Sequence, residues 1–101
     1  MPVAFTEEDR CLTAAVSGEL DHHGAKEVMQ ALDRRIDEAL PRQLTLDLGG
    51  LTFMDSSGIA VVLRAKRRME ALQGNLVVVN IPRQAAKVLD TAGLGRYINL
   101  I

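Results

Sequence analysis

The sequence predicts an α/β fold: a mixed, mostly parallel β-sheet of about four to five strands flanked by helices. Three observations predict it. Strand-like and helix-like patterns alternate along the chain with short connections. Between residues 25 and 40, Ala25, Val28, Met29, Leu32, Ile36, Ala39 and Leu40 recur at helical spacing. Residues 76–79 form a continuous apolar, valine-rich run, the pattern of a parallel strand buried on both faces. Each strand–helix–strand unit is then expected to be right-handed.

Residues 3–6 predict a short first strand, followed by a charged turn at residues 7–10. Residues 11–18 alternate, with Leu12, Ala14 and Val16 on one face, and are expected to close a hairpin with the first strand. Cys11 falls within this segment, which predicts a buried, inert thiol. In the first helix Asp21 is the expected cap residue and Pro41 marks the end, because proline restricts the residue before it. Leu44, Leu46 and Leu48 alternate with Thr45 and Asp47 as a third strand, which Gly49-Gly50 is expected to break. Ile59, Val62, Leu63 and Met69 share one face of a second helix that stops at Gly74. After the valine run, Pro82 opens a third helix that turns Ala85, Val88 and Leu89 inward and ends near Gly93. Residues 97–101 predict a last strand.

With 101 residues, the chain fits one domain spanning 1–101. Aromatic residues make up 3% and tryptophan is absent, so the core must be aliphatic. Twelve Lys and Arg against 13 Asp and Glu leave a formal charge of −1, which argues against a general polyanion binder and a direct nucleic-acid partner. The densest basic run, Arg64, Lys66, Arg67 and Arg68, reads as the solvated face of a helix. Cys11 is the only cysteine, which excludes an internal disulfide and fits a reducing cytoplasm. The start MPVAFTEEDR lacks the apolar core of a signal peptide, and no apolar run is long enough to span a bilayer. No membrane partner is therefore expected.

The chemically distinctive stretch is LTFMDSSG, residues 51–58, where an apolar run meets a carboxylate, two hydroxyls and a glycine before a helix. A serine nucleophile elbow needs glycine two residues before and after the serine, but Met54 and Asp55 stand before Ser56 and Ser57. A small hydrolase pairing either serine with His22 or His23 is thus a minor alternative, and no catalytic residue is assigned. Adjacent histidines point in different directions on a helix and no third ligand completes a zinc pattern, so no metal is expected. GGLTFMDSSG lacks the lysine of a phosphate-binding loop, and no GxGxxG occurs, so no motif proposes a nucleotide cofactor. Two readings are left. Asp55 or Ser56 caps the following helix, an effect on the order of 1 kcal/mol. Alternatively, an exposed hydroxyl at a helix start carries a phosphoryl group, which adds about −1.5 to −2 of charge while the fold survives.

SGELDHH (residues 17–23) followed by LTFMDSSG closely resembles the bacterial anti-sigma factor antagonists, the sporulation and stress-response type of STAS domain. VVVNIPRQAAKVLDTAGL (residues 77–94) is similar to that family's third helix, so the resemblance covers nearly the whole chain in the expected order. It implies a single STAS-like domain and a regulator, not an enzyme. The implied partner is an anti-sigma factor that is also a serine protein kinase of the GHKL type, sequestered by the unphosphorylated antagonist so that the sigma factor is freed. A PP2C-type phosphatase would reverse the phosphorylation. The phosphorylated serine corresponds to Ser56, and the partner-facing surface to Asp21, His22, His23, Asp55, Ser56, Ser57 and Gly58. The same fold without a kinase switch, as a scaffold in a transporter or lipid-transport complex, is the main alternative. Two departures stand out. The chain stops at Ile101, where the family usually continues into a C-terminal helix, which predicts exposed apolar surface and a monomer or weak dimer. Gly24 replaces a frequent hydroxyl residue and is expected to loosen the helix start.

Overall fold

The computed structural model describes residues 2–101. In chain order it contains β1 (Val3–Glu8), β2 (Cys11–Leu20), α1 (His22–Ala39), β3 (Gln43–Met54), α2 (Ser56–Ala71), β4 (Asn75–Val79), α3 (Arg83–Thr91), a 3-10 turn at Leu94–Arg96 and β5 (Asn99–Leu100). The strands form one sheet in the order β1-β2-β3-β4-β5. β1 is antiparallel to β2, and the remaining neighbours are parallel.

This order decides where the helices go. Each parallel strand lies beside the one before it in sequence, so right-handed crossovers carry every helix to the same side. Burial follows that rule. Leu12, Ala14, Val16, Leu44, Leu46, Leu48, Leu76 and Val78 are buried beneath the helices. The intervening Ala15 and Ser17 are exposed, and Thr13, Thr45, Asp47, Val77 and Val79 are only half-buried. The valine run is therefore buried on one face, not two. A shortest dimension of 19 Å matches one sheet plus one helix layer. From α1, Arg35 reaches across to β1, 5.2 Å over the Phe5 ring and 3.7 Å from Glu7.

Several boundaries differ from the sequence expectation. The hairpin turn is only Asp9-Arg10, both at positive φ (49° and 63°), the geometry of a tight two-residue connection. Glu7 and Glu8 belong to β1. Cys11 opens β2 on the helix-free side and is exposed rather than buried. Leu40 is 51% exposed, because it leaves α1 in a left-handed cap (φ 44°) ahead of Pro41. β3 does not stop at Gly49-Gly50. Its register against β2 shifts twice, between Ala15 and Ser17 and between Gly18 and Glu19, so β3 bulges and continues to Met54. Gly18 supplies the positive φ (79°) that β2 needs at that kink. In α2 the buried stripe is Gly58, Val61, Val62, Ala65 and Met69, with Ile59 and Leu63 half-buried at its border. α3 buries Ala85 and Leu89 and leaves Val88 half-buried. The last strand is two residues long, with Tyr97 at 66% and Ile101 at 74% exposed beside it.

Candidate functional site

Parallel neighbours that end together launch their helices side by side. Leu20, the last residue of β2, stands in register with Met54, the last residue of β3. The Asp55 N–H donates to the Leu20 carbonyl at 3.3 Å. Each strand is followed by one extended aspartate and then a helix. The Asp21 carboxylate accepts from the Gly24 N–H at 2.8 Å, and the Asp55 carboxylate from the Ser57 N–H at 2.7 Å. These bonds satisfy donors that a helix start leaves open. Asp55, not Ser56, is the cap of α2, which leaves the serine free for another use.

Ser56 is the first residue of α2 and is exposed. Among the described residues its hydroxyl has no hydrogen-bond partner. Ser57 and Asp55 are half-buried, as is Asp21. His22 and His23 are exposed at the start of α1, and His23 Nε2 lies 3.1 Å from Glu27 Oε1 one turn on. The two segments singled out in the sequence thus meet at one corner of the sheet.

The glycines of the corner serve packing. Gly58 is buried, and a Cβ there would stand 2.5 Å from Met54 Cγ. It shapes the start of α2 from below. Gly24 is also buried, and a Cβ there would come within 2.4 Å of the Glu19 carbonyl oxygen. That glycine tightens the contact between α1 and β2, contrary to the loosening expected from sequence.

The basic run is more than a solvated face. Arg64 forms a two-pronged pair with Asp33 of α1, at 3.1 and 2.6 Å, and Arg68 bonds Asp37. Hydrogen bonding to Asp33, then the charge of that carboxylate, raises the Arg64 pKa above its ordinary value. These pairs tie α1 to α2 behind the corner.

Two residues near the site carry no signal readable from sequence. Phe53 is 41% exposed, two residues before Asp55. It sits in an apolar run whose in–out pattern the bulges of β3 disturb: Leu51 is buried where counting in twos from Leu48 would put it outward, and a second shift returns Phe53 to the exposed side. Gln84 of α3 hydrogen-bonds the backbone of Met54, a contact that only the tertiary fold creates. Among the described residues no group of three or more His, Cys, Asp or Glu is disposed to hold a metal ion, and no helix is long and apolar enough to cross a membrane.

The STAS domain family model matches residues 3–101. The anti-sigma F factor antagonist of Lysinibacillus sphaericus is 35% identical over 81 residues, covering 80% of this chain and 69% of that protein. The unphosphorylated form of the anti-sigma factor antagonist SpoIIAA superposes with a TM-score of 0.84 at 27% identity, over 98% of this chain and 87% of that one. The phosphorylated form of SpoIIAA, described as a Bacillus cell fate determinant, gives 0.75 at 27% identity, over 98% and 90%. The strand order, the paired capped helices and the match over 3–101 agree: the chain belongs to the STAS domain family, among relatives that are anti-sigma factor antagonists.

Proposed function

We propose that this chain is an anti-sigma factor antagonist, a binding module switched by phosphorylation of Ser56. One observation carries the reading: an exposed, unpartnered serine hydroxyl starts a helix whose cap is made by its neighbour Asp55, on the corner that also presents Asp21, His22 and His23. The relatives that are antagonists, and the existence of SpoIIAA in both phosphorylation states, support it.

In the unphosphorylated state the corner docks an anti-sigma factor that is also a GHKL-type serine kinase, and the sigma factor is released. The kinase transfers the terminal phosphoryl group of ATP to Ser56 Oγ, which loses its proton. A PP2C-type phosphatase hydrolyses the ester. The chain supplies a surface and a hydroxyl, and its partners supply the catalysis, in the cytoplasm where ATP is available. The whole span 1–101 acts as one domain.

Electrostatics explains why one modification suffices. The added charge of about −1.5 to −2 exceeds the chain's formal charge of −1. It lands beside Asp55, on the corner that also carries the α1 cap Asp21, with Glu19 at the end of β2 and Glu27 one turn into α1, so a surface that docked a partner becomes more anionic. The fold tolerates this because the phosphate projects from a helix start into water.

The test is incubation with ATP and the GHKL-type kinases of the same genome, read by intact mass and site mapping. One phosphate on Ser56 is expected. Ser56→Ala should bind the kinase yet stay unmodified, and Ser56→Asp should bind at least about tenfold more weakly. Full modification of Ser56→Ala would remove Ser56 from the role. Binding to a transport complex with no phosphate from any kinase would favour the scaffold alternative.

A further inference from the structure

The geometry points to Gln84 on α3 as a positioning residue for Ser56, acting through the backbone of Met54; this rests on the proposed role of Ser56 as phosphate acceptor. The Gln84 side-chain amide makes both hydrogen bonds that a neighbouring strand would make. The Met54 N–H donates to Gln84 Oε1 at 2.8 Å, and Gln84 Nε2 donates to the Met54 carbonyl at 2.7 Å.

The lengths of the strands create the need. β4 pairs with β3 only as far as Asp47 opposite Val79. Beyond Asp47, β3 runs on to Met54 with β2 on one side and, among the described residues, no strand on the other. Unpaired backbone groups at such an edge are free to move and to exchange with water. Gln84 closes the edge at its last residue, immediately before the cap Asp55 and the acceptor Ser56.

Three restraints therefore converge on this turn. β2 holds Asp55 through the Leu20 carbonyl. Gly58 lets the start of α2 settle on the Met54 side chain. Gln84 holds the Met54 backbone, and it alone comes from outside the two strand–helix units. The position of α3 is thereby written into the position of the serine. Glutamine suits this work, because one amide offers a donor and an acceptor side by side. Glutamate lacks the donor and would place an oxygen against the Met54 carbonyl. Pro82, the cap residue of α3, makes no side-chain cap bond. Gln84 sits in that first turn but is spent on β3 instead of on its own helix.

A phosphoryl acceptor must be held in line with its donor, and a displacement of about 1 Å is enough to slow transfer without abolishing docking. Gln84→Ala should therefore lower the kcat of Ser56 phosphorylation about tenfold while KM stays within about twofold. A side chain that merely stabilised the fold would lower Tm without dividing kcat from KM.

The experiment pairs amide hydrogen exchange and backbone NMR of the free protein with phosphorylation by the GHKL kinase that modifies the wild type. In Gln84→Ala, exchange at Met54 should rise about tenfold. Resonances of Asp55, Ser56 and Ser57 should shift, while Gly24 and Val16 hold. Gln84→Glu, which sets a carboxylate oxygen against the Met54 carbonyl, should disturb the turn at least as much as Gln84→Ala, and Arg83→Ala on the same helix should match wild type. Unchanged exchange at Met54, or raised exchange with kcat unchanged, overturns the positioning role. If no kinase phosphorylates wild-type Ser56, the acceptor reading falls, and the exchange and resonance data still decide whether Gln84 sets the start of α2.

Discussion

At the scale of single residues, the corner is built by side chains whose roles differ from their appearance in sequence. Asp55 caps and Ser56 projects, although either could have capped. Asp55→Ala should lower stability by about 1 kcal/mol through the lost cap, measured by urea unfolding. Ser56→Ala should leave stability within about 0.5 kcal/mol, because the hydroxyl is exposed and makes no hydrogen bond among the described residues. The glycines invert the usual expectation. Gly24→Ala drives a Cβ into the Glu19 carbonyl, which is backbone and cannot swing away. It should cost about 1–3 kcal/mol in the same measurement. Gly58→Ala meets the flexible Met54 side chain instead, so it should cost less in stability than Gly24→Ala. Sequence made the caps legible, since an aspartate before an apolar helical pattern has a local meaning. It hid the glycine roles, because close approach depends on what the fold brings near.

At the scale of elements, regular periodicity was readable and its interruptions were not. α1 shows its buried stripe, at Ala25, Val28, Leu32 and Ile36, directly in the spacing of its residues. β3 hides its length, because Gly49-Gly50 looks like a stop and the paired strand turns it into a bulged continuation. The lateral fixing of α1 against α2 was equally invisible, since Asp33 and Arg64 are 31 positions apart. That pair is exposed, so it should weaken with salt. Arg64→Ala should lower Tm at low ionic strength, and the difference from wild type should shrink in about 1 M NaCl, where the screening length falls to about 3 Å. The raised Arg64 pKa means that its contribution is present below the unfolded guanidinium's value and lost only as pH rises through the folded one. Titration of the arginine therefore leaves stability flat through the neutral range, and salt rather than alkali is the lever that exposes the pair.

At the scale of the whole molecule, strand order separates the docking corner from the rest of the fold. Alternating patterns were enough to predict parallel strands with crossover helices, but not that spatial order would equal chain order. That order puts all helices on one side and collects every strand-to-helix turn at one end of the sheet. The opposite end is tied by its own bonds, from the Arg42 N–H to the Arg10 carbonyl and from the Asn75 N–H to the Arg42 carbonyl. Between the ends lies a continuous aliphatic core running from Leu12 to Met54, and among the described residues no charged side chain is buried to relay a field. A charge placed on Ser56 should therefore act locally. Ser56→Asp is expected to unfold within about 0.5 kcal/mol of wild type. Its amide resonances should move around residues 20–24 and 54–58, and stay fixed at Arg10, Arg42 and Asn75. Movement at that far end would mean that the added charge repacks the sheet, and loss of partner binding would then reflect a changed fold instead of a changed surface. Confinement of the shifts to the corner would leave direct repulsion at the docking surface as the cause.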